Sequence, residues 1–238
     1  MAEEINSVMD HIYFVNAHPD DLLAVIGTAL KLKATGKYRL HVVDATKGEK
    51  GLPGIASPEE CARLRDAEER EVCARLGASP VWLSEHDGSA FASEASCRAL
   101  AELYAAEPPT AIFTLWPLDR HLDHMMSASI ALNALRMASG NTRGVMKTGW
   151  PEVFFFHFRN SMACDPECFV PLTEAEMAEK CEIISLYKCQ QGPRMAEEEK
   201  VRNAHFGTRV RVPYAEALTR LQPLSPEKTS VLAGIAYF

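Results

Sequence analysis

Short apolar runs alternate with segments whose apolar residues recur at helical spacing, from near the start of the chain to about position 137. Ile12 to Asn16 is a run of strand formers that stops at Ala17-His18-Pro19-Asp20-Asp21; helical spacing then holds through Leu32, with Gly36 as the predicted C-cap. Arg39 to Ala45 alternates around Leu40, Val42 and Val43 and predicts a second strand, followed by a loop from Lys47 to Ala56. Ser57-Pro58-Glu59-Glu60 combines an N-cap, a proline at the first helical position and a glutamate at the third, so a helix is predicted from there to Leu76, ended by Gly77. Val81 to Leu83, Ser93 to Ala106, Thr110 to Leu115 and Asp123 to Met137 then read as strand, helix, strand and helix.

Beyond position 150 the pattern is less regular. Glu152 to Phe158 reads as a strand, Thr173-Glu174-Ala175-Glu176 opens a helix to about Lys188 with a capping-box pattern, and Met195 to Ala204 reads as another helix. Residues 139–149 and 160–171 are the predicted loops. Strands alternating with helices imply right-handed crossovers and a parallel sheet covered on both faces. The expected architecture is therefore α/β: a Rossmann-like, doubly wound, mainly parallel sheet with helices on both faces and a less regular C-terminal portion, in one domain spanning 1–238.

Composition narrows the function. The chain has 238 residues, 47% hydrophobic and 24% charged, which are values for a globular protein long enough to bury a full core. Its 25 Lys and Arg against 32 Asp and Glu give a formal net charge of -7, which argues against nucleic acid or an anionic membrane as partner. No apolar stretch approaches the roughly 18 residues of a membrane span, and Met1-Ala2-Glu3-Glu4 lacks the basic and apolar regions of a secretory signal, so a cytoplasmic protein is expected. Seven cysteines without a CxxC pair suit a reducing compartment; Cys164 and Cys168, flanking Asp165-Pro166-Glu167, are a weak metal-binding pair. Association into a homo-oligomer is neither required nor excluded.

Two clusters carry chemistry. His18, Asp20 and Asp21 sit where the first strand meets its helix, and in open α/β sheets ligands bind outside the carboxyl ends of the strands. Taken alone, the aspartates are better explained as helix caps. Asp119, His121, Asp123 and His124 follow the fourth strand at the start of the next helix, where positive charge is unfavourable and imidazoles tend to be neutral or paired with carboxylate. If the first and fourth strands are neighbours at the reversal point of the sheet, both clusters face one crevice. A histidine and a carboxylate from one side with a histidine from the other make a three-ligand site with an open position, as hydrolytic metal sites have, and leave Asp20 free to act on water there.

Ala17-His18-Pro19-Asp20-Asp21 together with Asp119-Arg120-His121-Leu122-Asp123-His124 resembles the LmbE-like, or PIG-L, metal-dependent de-N-acetylases. Supporting segments are Arg65 and Glu68, Asp87-Gly88, Thr114-Leu115-Trp116-Pro117 and Tyr214-Ala215-Glu216-Ala217. Two positions depart from the family pattern: Leu22 stands where Glu is usual, and Leu122 where Pro is usual. The resemblance implies His18, Asp21 and His124 as ligands of a divalent metal ion and Asp20 as general base. It also implies His121, as a cation, facing the developing oxyanion or the leaving amine, with Asp123 holding it. Two imidazoles and a carboxylate suit zinc first, and also iron, cobalt, nickel or manganese. Arg65, Asp87, Trp116 and Asp119 are the candidates for binding substrate, although Arg65 and Glu68 are also explained as an ion pair on a helix face.

The implied activity is removal of acetyl from an N-acetylated amino sugar or an N-acetylglucosaminyl conjugate, a small-molecule substrate. Alternatives are a deacylase of a non-sugar amide or an antibiotic conjugate, and a metal-dependent sugar-binding protein without turnover. A nucleotide-binding module is disfavoured because both the Gly-x-Gly-x-x-Gly and the P-loop patterns are missing. Among the remaining histidines, His157 at the end of a predicted strand is the one to check for a role.

Overall fold

A computed structural model of the chain describes residues 9–141, 150–221 and 228–238. The strands are β1 (Asp10–Asn16), β2 (Tyr38–Asp44), β3 (Ala78–Trp82), β4 (Pro109–Leu115), β5 (Glu152–Phe156), β6 (Cys168–Leu172) and β7 (Tyr214–Arg220). The helices are α1 (Ile26–Ala34), α2 (Pro58–Leu76), α3 (Glu94–Ala106), α4 (Leu122–Asn141), α5 (Glu174–Ile184) and α6 (Gly192–Val210). The seven strands form one sheet in the order β3-β2-β1-β4-β5-β7-β6. β3, β2, β1, β4 and β5 are parallel, and β7 pairs antiparallel with both β5 and β6. β1 and β4 are neighbours, so the order reverses where the sequence places its two clusters.

The apolar run of β1 is continuous because both its faces are covered. Ile12 and Phe14 pack with Val42, Phe113 and Phe154 on the side of α1, α2 and α5, while Tyr13 and Val15 pack with Ile112, Leu100 and Leu135 on the side of α3 and α4. The helix signals also hold. Ser57 accepts a hydrogen bond from the Glu60 amide, Gly77 closes α2 at φ 66°, and Thr173 and Glu176 complete a capping box on α5.

The differences from the sequence reading lie at the edges. The first helix does not follow the His18 turn directly; a 3-10 segment, Asp21–Val25, comes first. The predicted loop 160–171 contains most of β6, an edge strand where Pro171 is tolerated. The predicted loop 139–149 begins inside α4, and residues 142–149 lie outside the described ones.

Tyr214-Ala215-Glu216-Ala217 belongs to β7, and Glu216 is fully buried. Its carboxylate accepts hydrogen bonds from the Gly27 and Thr28 amides and the Thr28 hydroxyl, capping the start of α1 from the far end of the chain. The Lys180 ammonium lies 2.7 Å from the same carboxylate and 2.8 Å from Asn203 Oδ1. Among the described residues no helix is long and apolar enough to cross a membrane.

Candidate metal centre

β1 ends at Asn16, and the chain turns so that the Asp21 carboxylate reaches back to its own turn. Asp21 Oδ2 accepts from the amides of Ala17 (3.1 Å) and His18 (2.9 Å), so one oxygen of Asp21 closes the turn that precedes it, while neither Asp20 nor Asp21 caps the helical segment that follows. The other oxygen, Oδ1, faces His124 Nε2 at 3.3 Å. His18 Nδ1 lies 3.4 Å from Asp21 Oδ2. Donor atoms of His18, Asp21 and His124 lie within 4.8 Å of one another, and all three side chains are buried.

A second group, His18, His121 and Asp123, has its donors equally close. The other contacts separate the two groups. Asp123 accepts from the amides of Gly88 and Ala90, and its Oδ2 is 3.0 Å from His18 Nε2, so its oxygens are already engaged. That leaves His18 Nδ1 toward Asp21. His124 repeats the arrangement, with Nε2 toward Asp21 and Nδ1 3.3 Å from Asp119 Oδ1. His18 thus turns one nitrogen to the centre and the other into a hydrogen bond with a buried carboxylate, the support that fixes tautomer and orientation in metal-ligating histidines, whereas His124 Nδ1 lies beside Asp119 without a hydrogen bond. His18, Asp21 and His124 fit a divalent ion on this geometry.

Electrostatics agree with a cation-binding centre. Burial opposes charge on His18, yet contacts with Asp123, Asp21 and Asp87 hold its pKa well above the usual value. Against the same burial, His124 and His18 hold the Asp21 carboxyl well below the usual range. Asp87 is held down to about 2, again against burial, by the His18 ring 3.3 Å away.

Asp20 stands outside this donor set. It makes no capping hydrogen bond, and its backbone, at φ 157° and ψ -17°, lies outside the regions open to most L residues. Its carboxylate is paired with the guanidinium of Arg65, which also donates to the Pro19 and Gly48 carbonyls at 3.3 Å. Burial pushes the Asp20 carboxyl above its usual range against the pull of Arg65. Arg65 therefore pairs with Asp20 and not with Glu68, which instead accepts from the amide of Cys189.

A cavity of about 680 Å³ opens over the centre, and His18, Asp20, Asp21, Arg65, Asp87, His121 and His124 all line it. His121 stacks on His124 with ring centroids 4.7 Å apart, and its Nδ1 is buried without a partner. Burial, followed by the charges of His18 and His124, lowers its pKa. Asp123, expected to hold His121, holds His18.

Trp116 and Asp119 do not line the cavity. The Trp116 indole donates to the Met162 carbonyl and packs on Phe155 and His157, while Asp119 accepts from the His121 amide and the Ser161 hydroxyl. His157 is buried with Nε2 2.9 Å from Thr219 Oγ1, away from the centre. All seven cysteines are free, and among the described residues Cys164 and Cys168 join no ligand group.

The far wall of the cavity was missed in the sequence. Arg159, Asn160, Gln190, Glu198 and Arg202 line it, all from the less regular C-terminal part. Glu197 to Lys200 looks like a solvated charge run, and nothing in the linear pattern shows that Glu199 is buried between Lys180 and Arg202.

The family model described as PIG-L, GlcNAc-PI de-N-acetylase, matches residues 13–135, just over half of the 238. The chain belongs to the PIG-L family. This PIG-L chain is 27% identical over 181 residues to a 4-oxalmesaconate hydratase of Pseudomonas putida, a match covering 71% of this chain and 70% of the relative. In fold it is similar to the N,N'-diacetylchitobiose deacetylase of Pyrococcus horikoshii, at a TM-score of 0.77 and 20% identity over 92% of this chain and 88% of that one. It is similar also to the 4-carboxy-2-hydroxymuconate hydratase of Pseudomonas putida, at a TM-score of 0.75 and 22% identity over 93% of this chain and 100% of that one. The PIG-L fold is thus shared by proteins named as deacetylases and as hydratases.

Proposed function

We propose that the chain is a metal-dependent hydrolase that removes acetyl from an N-acetylated amino sugar or an N-acetylglucosaminyl conjugate. The observation that carries this reading is the division of labour between adjacent aspartates: Asp21 turns into the donor set with His18 and His124, while Asp20 faces the cavity under the hold of Arg65. The description of the family model supports the same chemistry.

His18, Asp21 and His124 would hold a divalent ion, zinc in the first instance. Such an ion supplies a Lewis acid for the amide carbonyl and lowers the pKa of a bound water from 15.7 to about 7. Asp20, in the role of general base, takes a proton from the attacking water, and Arg65 keeps its carboxylate aimed. His121, stacked on His124, offers an N–H to the oxygen on which negative charge develops. The proton taken by Asp20 passes to the departing nitrogen as the carbon–nitrogen bond breaks, leaving a free amine and acetate. Asp123 orients His18, and the charge of Asp119 stands beside His124.

The deciding experiment incubates the zinc-loaded chain with N-acetylglucosamine, its conjugates and a panel of other amides, and measures free acetate and new primary amine. Release of both in equal amounts from the amino-sugar substrates is expected; turnover without acetate would overturn the reading. A second reading, addition of water to a carbon–carbon double bond of a carboxylate substrate, is favoured by two observations. The relative named as a hydratase is 27% identical, and Lys50, Arg159 and Arg202 add cationic groups to the cavity wall. Loss of alkene absorbance without acetate would identify it.

A further inference from the structure

We propose a second divalent-cation site at the opposite end of the sheet, formed by His11, His41 and Glu107. His11 lies near the start of β1 and His41 on β2, where it pairs in register with Tyr13, so both histidines point to the face covered by α3. Glu107 is the C-cap of α3. His11 Nδ1 and His41 Nε2 are 2.9 Å apart, and Glu107 Oε2 lies 4.0 Å from the first and 3.6 Å from the second. Ligand atoms around a tetrahedral zinc ion, with bonds of about 2.0 to 2.1 Å, stand about 3.3 Å apart, within the span of these three distances.

The surroundings favour a cation. α3 ends here, and the carbonyl end of its dipole makes this the negative end of the helix. Tyr13 donates its hydroxyl to the Glu107 carbonyl at 2.8 Å and stacks on His41 with ring centroids 4.4 Å apart, fixing both the cap and the ring. Arg39 takes Glu107 Oε1 at 3.2 Å and leaves Oε2 toward the imidazoles; its own charge is on a side chain 55% exposed, where solvent screens it.

Two imidazoles and one carboxylate select zinc or its neighbours cobalt and nickel over magnesium or calcium, which prefer an all-oxygen shell. The rise of β1 from His11 to Asn16 separates this site from the His18 centre by about 17 Å, so the two cannot share an ion. An ion here would clamp the starts of β1 and β2 to the end of α3 and stabilise the fold by mass action. Its three protein ligands leave a coordination position for solvent.

The test is zinc stoichiometry of the full chain by equilibrium dialysis at pH 7. Wild type should bind two ions per chain, His11→Gln one, His18→Ala one, and the double variant none. Glu107→Gln, a change at a partly exposed helix end, should weaken the second ion at least tenfold and lower the zinc-dependent rise in melting temperature. Neither His11→Gln nor Glu107→Gln should change kcat by more than about twofold. If the His18 centre binds nothing, wild type should hold one ion and His11→Gln none, so failure of the functional reading does not hide this one. Equal zinc content and equal zinc-dependent stabilisation in wild type, His11→Gln and Glu107→Gln would overturn the proposal.

Discussion

Arg65, only 4% exposed, lays its guanidinium on the carboxylate of Asp20 and anchors it to the backbone of two loops through the Pro19 and Gly48 carbonyls. A base held by an arginine stays aimed, and it stays ionised more readily than its burial alone would allow.

Asp20→Asn should therefore keep its metal and lose about 10² to 10⁴ in kcat, the range for a positioned general base. Arg65→Met should also keep its metal and lose about tenfold to a hundredfold, because the carboxylate remains but is no longer oriented. Steady-state rates of acetate release beside metal analysis check both; wild-type turnover in Asp20→Asn would remove the base.

The ligands should behave in the opposite way. His18→Ala and His124→Ala should lose the ion from the catalytic centre, seen as lower metal content at equal protein. Asp123→Asn, which weakens the support behind His18, should lower affinity for that ion by about 10 to 100-fold without abolishing it. Competition with a chromogenic chelator measures the ordering, and an Asp123→Asn affinity equal to wild type would show that the buried carboxylate does not act through the ring.

His157 sets a pH dependence of stability. Burial first, and the Arg202 charge second, push its imidazole down to about 4, so the folded protein keeps the ring neutral where the unfolded chain, titrating near 6.5, has taken a proton. The unfolded state then binds more protons, and the stabilising difference present above about pH 6.5 is lost as pH falls toward 4. Between pH 7 and pH 5 this amounts to about 2 kcal/mol. Urea titrations at the two pH values should show a smaller decline in His157→Gln than in wild type; parallel declines would reject the assignment.

Lys180 is buried with its ammonium between Glu216 and Asn203. Lys180→Met should cost about 3 to 5 kcal/mol, since it leaves the Glu216 charge without its cation. Combining it with Glu216→Gln should recover part of that loss. Denaturant midpoints measure the cycle, and a single variant within about 1 kcal/mol of wild type would mean that backbone amides alone satisfy Glu216.

The parallel part of the fold was legible because its signals are local: buried strands read as apolar runs, and Ser57, Gly77 and Thr173 mark helix ends through their own side chains or backbone freedom. β6 and β7 were not, since one carries Pro171 and the other a buried glutamate, and both find their pairing partners far away in sequence. The same division runs through the centre. Each short cluster of histidine and aspartate stood out in its own stretch of chain, and the adjacency of β1 and β4 brought the two together. Which carboxylate supports which imidazole depends on side-chain directions across the cleft; so Asp123 was assigned to His121, three-dimensional contact assigns it to His18, and Trp116 turned out to brace Met162.

The carboxylate of Glu216 closes the first turn of α1, almost two hundred positions earlier. A nascent polypeptide will have emitted every proposed ligand of the catalytic ion by His124, yet the residue that secures the helix behind them is still to be made. Synthesis of the amino-terminal half alone would yield a chelating peptide without a settled scaffold, and shortening the protein from its tail should cripple turnover at a distance from any reacting atom.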